Sequence, residues 1–127
     1  MKTMFGIVAL ALMLSGCSTP QSVSRMEGKG NAQIFDAGYD RVWSAATAAA
    51  QEDDLYILNS DKSHGFISAK RSLRPDTFGE NVGIWVQRVS PTQTRVEVVS
   101  RQAGPPVLIL HNWEKRILTF IEANLTT

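Results

Sequence analysis

Between Val82 and Arg101 the side chains alternate with a period of two, broken once by Ser90-Pro91-Thr92-Gln93. Val82, Ile84 and Val86 fall on one side of an extended chain, and Gly83, Trp85 and Gln87 on the other. Past the break, Val96 and Val98 oppose Arg95, Glu97, Val99 and Arg101. A helix cannot satisfy such a pattern, because residues on one helical face recur three and four apart. The spacing predicts two antiparallel strands, Val82 to Val89 and Thr94 to Arg101, joined by a polar turn. One face is apolar enough to bury. The other mixes cations with Trp85 and Val99, as expected of a sheet with one solvated side.

The rest of the chain supplies partners for that hairpin. Leu55 to Asn59, the polar turn Ser60 to Gly65, and Phe66 to Arg71 predict an earlier hairpin, followed by a loop through Arg74-Pro75-Asp76. Ala32 to Asp36 is a further short strand. Tyr39 to Asp53 is alanine-rich and carries Val42, Ala46, Ala49 and Ala50 at helical spacing, extended by Tyr39 and Trp43. The small side chains suit close packing on a sheet. Asp53 and Asp54 stand at the end of the helix dipole that disfavours acids, so the helix should stop there. After the Gly104-Pro105-Pro106 break, Leu110, Trp113, Ile117, Phe120, Ile121 and Asn124 or Leu125 form one stripe of a second helix. The expected fold is α+β, ordered β-α-β-β-β-β-α, with two helices on one face of an antiparallel sheet of four to five strands. Trp43 and Trp113 are expected in the core.

The start of the chain reads differently. Lys2 precedes an uncharged apolar run, Met4 to Leu14. As a helix this run would cover roughly 16 Å, about half of a bilayer's hydrocarbon thickness. It is too short to span comfortably and fits the apolar region of a secretory signal. Leu14-Ser15-Gly16-Cys17 closes it and resembles the lipobox of bacterial lipoproteins. The resemblance implies cleavage between Gly16 and Cys17, and lipidation of Cys17, which becomes the first mature residue. One acyl chain anchors only marginally, whereas two or three hold firmly. In the same class an Asp after the cysteine retains the protein in the inner membrane. Ser18 therefore implies an outer-membrane lipoprotein facing the periplasm.

The domains expected are a signal peptide at 1–16, the lipidated cysteine and a flexible tether at 17–31, and one folded domain at 32–127. The tether assignment rests on Ser18 to Asn31, which is polar and rich in Ser and Gly, without apolar periodicity. Loss of residues 1–16 removes one lysine and no acid, leaving 12 basic against 12 acidic residues. A near-neutral domain exerts no general attraction on nucleic acid, and none is expected as a partner. With the single cysteine lipidated, no disulfide, thiol nucleophile or thiolate metal site remains.

A second resemblance lies in the folded part. Phe35-Asp36 leading into Tyr39-Asp40-Arg41-Val42-Trp43, and the later Asp61-Lys62 followed by Gly65-Phe66-Ile67-Ser68-Ala69, resemble small bacterial lipoprotein domains. They are similar to the helix-grip type domains of the BamC family, lipoproteins of the outer-membrane β-barrel assembly machinery. That family carries two such domains, and this chain has room for one. The resemblance implies a non-enzymatic module facing the periplasm.

Candidates for chemistry are few. His64 lies in a turn with Asp61 and Ser63, His111 and Glu114 are three apart on a helix, and Glu52-Asp53-Asp54 is an acidic run. His64 reads as a solvated turn histidine, His111 and Glu114 lack a third ligand, and the acidic run reads as a solvated helix end. There is no P-loop, Rossmann glycine pattern, HExxH or G-x-S-x-G. No catalytic residue, metal or cofactor is expected. The candidate binding face is Trp85, Gln87, Arg95 and Arg101, with Val99, since Trp and Arg favour recognition hot spots. The expected function is a lipid-anchored binding or scaffold module of the cell envelope, attached to the membrane through Cys17 and holding an envelope protein partner. The alternatives are an accessory subunit of an outer-membrane assembly complex, and an envelope hydrolase or metal-dependent enzyme.

Overall fold

The computed structural model describes residues 18–72, 79–103 and 113–126. In chain order these form α1 (Pro20–Ser24), β1 (Asn31–Phe35), α2 (Tyr39–Ala49), β2 (Leu55–Asp61), β3 (Phe66–Arg71), β4 (Glu80–Ser90), β5 (Gln93–Gln102) and α3 (Trp113–Leu125). The strands make one antiparallel sheet in the order β1-β5-β4-β3-β2. The fold is α+β. The leader, Gly16, Cys17, the Arg74-Pro75-Asp76 loop, the Gly104-Pro105-Pro106 break, Leu110 and His111 lie outside the described residues.

The two-residue period sets the main core. Ile67, Ala69, Val82, Ile84, Val86, Val96 and Val98 are buried on one sheet face. Against them pack Val42, Trp43, Ala45, Ala46, Ala49 and Ala50 of the α2 region and Ile117, Leu118 and Ile121 of α3. Burying each large aliphatic side chain contributes about 1.5–3 kcal/mol, so this layer dominates stability. The Thr94 hydroxyl, fully buried, donates to the Ala37 carbonyl at 2.9 Å and ties β5 to the link between β1 and α2.

The end of one helix departs from expectation, and two strands carry bulges. α2 stops at Ala49 rather than at Asp53. Asp53 and Asp54 instead take left-handed φ values of 54° and 65°, which turn the chain back into β2. Asp tolerates that region better than most residues, because its short side chain can bond locally. In β2 and β4 the pairing slips at Leu58 and Val89, the extra residues of two bulges. Both side chains are thrown outward and exposed.

The largest departure is at 18–31, read from the sequence as a flexible tether. From Ser18 onward this segment lies across the other sheet face. Thr19 caps α1 with a reciprocal pair, Ser22 N–H to Thr19 Oγ1 at 3.0 Å and Thr19 N–H to Ser22 Oγ at 2.8 Å. Pro20 occupies the first turn, where its missing N–H costs nothing. Val23 is 1% exposed and packs with Trp85 and Val99, with Met26 and Phe66 beside them. Gly83 makes room: a Cβ there would stand 2.8 Å from the Trp85 ring and 3.2 Å from Val23. At the other end of the strap Gly30 crosses β5 so closely that a Cβ would overlap the Val98 carbonyl, while its N–H donates to Glu97 Oε2 at 3.0 Å.

Candidate functional site

The sheet face expected to bind does gather the expected residues. Trp85 stands opposite Glu97, Gln87 opposite Arg95, Gly83 opposite Val99 and Asn81 opposite Arg101. It is not open, however. α1 covers its centre, and Trp85 is 7% exposed, with its ring 5.1 Å from that of Phe66. The polar members are engaged within the chain. Gln87 donates to Glu27 at 2.8 Å, and Arg95 to the buried Glu97 at 3.4 Å and to Gln87 at 3.5 Å. Arg101 donates to Glu114 at 3.1 Å and to the Lys29 carbonyl at 3.4 Å. Trp85, Gln87 and Arg101 therefore hold the strap, and Arg95 bonds along the sheet to Glu97 and Gln87. The alternation identified the face but not its cover.

The remaining candidates separate. Asp61 accepts from the Ser63 hydroxyl at 2.7 Å, the His64 N–H at 3.2 Å and His64 Nδ1 at 2.7 Å. These bonds, Ser63's first, lower the Asp61 carboxyl to about 2. Serine and histidine both converge on the carboxylate, and the trio closes the turn. Both Glu114 oxygens are occupied, one by Asn31 Nδ2 at 2.8 Å, the other by the Ser100 N–H at 2.8 Å and Arg101. Asp53 of the acidic run pairs with Arg116 at 2.8 Å. Among the described residues no group of three His, Cys, Asp or Glu side chains is placed to hold a metal.

A different site emerges between the C-terminal end of α2, the start of β2, the end of β3 and α3. It is a cleft of about 590 Å³, lined by Leu55, Arg71, Trp113, Arg116, Ile117 and Phe120 among others. Arg71 ends β3 in phase with Ile67 and Ala69, so the period of the strand turns it toward the helices. It is 4% exposed, and its guanidinium carbon lies 3.8 Å from the Trp113 ring centroid. That of Arg116 lies 5.2 Å from the same ring. Trp113, expected in the core, serves instead as the platform for two cations.

Arg71 Nε is buried without a hydrogen-bond partner among the described residues. No carboxylate among the described residues comes within ion-pair distance of this guanidinium. Burial pulls Arg71 below the usual arginine range, Asp53 and Glu80 act against that shift, and Arg116 adds to it. A cation so placed is costly unless something neutralises it. Its planar fork suits a carboxylate or phosphate, which it can grip with two parallel bonds. The cavity falls in the range of small-ligand sites; its walls are apolar at Leu55, Ile117 and Phe120 and charged at Glu52, Asp53, Lys115 and Arg116. Sequence reasoning missed Arg71 because a cation at a strand end reads as solvated. The signal was its phase, two residues beyond Ala69. No family model matches the chain, and no curated protein matches it.

Proposed function

We propose that this chain is a lipid-anchored binding module of the cell envelope that performs no chemistry of its own. It takes an anionic group of a protein partner into the Arg71 cleft. The lipobox at Leu14 to Cys17 supports the anchor, and Ser18 supports an outer-membrane address facing the periplasm. The observation that carries the binding role is the buried Arg71 guanidinium, stacked on Trp113 with Nε unpartnered. A bound carboxylate or phosphate would complete its hydrogen bonds and offset its desolvation. Arg116 at the rim also lies over the same ring, with its charge paired to Asp53.

The test is thermal unfolding at constant ionic strength, with citrate or pyrophosphate replacing chloride. A ligand at a hundredfold excess over its Kd stabilises the native state by about 2.7 kcal/mol. Either anion should raise Tm of the native sequence. Arg71→Met should fold with stability unchanged or raised by up to about 2 kcal/mol, because a buried charge without an ion-pair partner among the described residues is exchanged for apolar volume. Its anion response should vanish. A response of equal size in Arg71→Met, or none in the native sequence, sinks the assignment.

A further inference from the structure

The strap fixes more than the sheet face it covers. Ser18 is bound at one end of the sheet, where β4 begins and β5 ends. Its hydroxyl donates to the Arg101 carbonyl at 3.3 Å and also reaches the Gln102 carbonyl. Asn81, 2% exposed, donates from Nδ2 to the Ser18 carbonyl at 3.2 Å and to its hydroxyl at 3.1 Å. The Thr19 cap follows at once, then the buried Val23, then the Gly30 bond to Glu97. From Ser18 to Gly30 there is no slack run of chain.

Cys17 lies outside the described residues, yet it is joined to Ser18 by one peptide bond, and consecutive Cα atoms stand about 3.8 Å apart. A flexible linker of fourteen residues would give a root-mean-square reach of about 20 Å. The strap removes that reach. We infer that the folded domain is seated directly on the membrane surface. The rim formed by the start of β4 and the end of β5 meets the lipid headgroups, and the β2–β3 and β4–β5 turns point away. This seating rests on the lipidation of Cys17 proposed above.

The geometry has two consequences. β4 has eleven residues, which at about 3.3 Å each carry the far turn roughly 35 Å from the rim. Arg71 pairs with Glu80, and Glu80 with Gln102. Arg71 is thus two strand spacings, about 10 Å, from the strand end that holds Ser18. The anion cleft therefore opens at headgroup height, on the sheet face opposite the strap. Whatever docks there does so beside the bilayer.

The experiment uses the full chain, purified from membranes with its lipid and reconstituted in phosphatidylcholine vesicles that contain a headgroup-quencher lipid. A fluorophore is placed on Ser72→Cys, one residue past β3 at the rim, or on Thr92→Cys in the far turn. Both positions are exposed. Strong quenching at 72 and near-background quenching at 92 are expected. Ten Gly-Ser residues inserted between Ser18 and Thr19, ending in Ser so that the strap keeps its contacts, should lower the signal at 72 to the level at 92. Equal quenching at both positions without the insertion overturns the seating. So does a signal at 72 that the insertion leaves unchanged, since surface attraction and not the anchor would then hold the domain. The intact mass of the purified chain reports the acyl groups separately. Failure of the lipoprotein assignment is thereby distinguished from failure of the seating.

Discussion

Arg71 carries a full charge at a position that the two-residue period assigns to the core. Its neighbours in phase, Ile67 and Ala69, are buried against the helices. The place of the guanidinium was not legible in the sequence, because nothing in FISAKR says that Trp113, more than forty positions later, will slide beneath it. Asp61 is the opposite case. Its local spacing to Ser63 and His64 announces a turn, and the turn forms with all three groups in contact. Here pH has a definite sign. The folded carboxyl sits near 2, below the ordinary value of 3.8, so it binds its proton more weakly folded than unfolded. Its stabilisation is complete above about pH 4 and is lost as pH falls through about 2. Asp61→Asn should therefore lower stability at pH 6 but not at pH 2, which urea midpoints measured at both values will show. An unchanged difference between the two pH values would contradict the Ser63 and His64 bonds as its cause.

Among the elements, β2 to β5 and the buried faces of α2 and α3 were legible because each repeats its pattern several times. Val82, Ile84 and Val86 give three readings of one face, and Ile117 and Ile121 recur one helical turn apart. α1 offers no repetition. Its segment holds two apolar residues, Val23 and Met26, among serines, glycines and charges, so periodicity has too little to count. The readable trace was Thr19-Pro20 with Ser22 three residues past the cap, a helix start without an apolar run behind it. The energetic test of α1 is Val23→Ala. Deleting two buried methyl groups and leaving their cavity should cost about 2 kcal/mol. The same change in a slack tether would cost nothing. Chemical denaturation of the two proteins side by side decides between them, and a difference below a few tenths of a kcal/mol would deny the strap its role.

At the scale of the molecule, the sheet is one continuous antiparallel surface with two different covers, helices on one side and its own N-terminal segment on the other. The first cover follows from amphipathic patterning. The second follows from shape, a glycine at 83 below an indole at 85, which composition cannot reveal. On its side of β5, β1 ends early: its register stops at Asn31 opposite Val98, and the last residues of β5 are paired with β4 alone. The Glu114 carboxylate occupies that gap, accepting the Ser100 N–H and reaching back to Asn31. A backbone donor on an open strand edge is a template for a strand from another molecule. One side chain from α3 thus keeps this end of the sheet closed to strand addition. Glu114→Ala should free the Ser100 amide and favour edge-to-edge dimers, visible in sedimentation velocity as a species absent from the native sequence at the same concentration. On a membrane, where anchored copies meet in two dimensions at high local density, that carboxylate would set whether neighbouring domains pass one another or zip together.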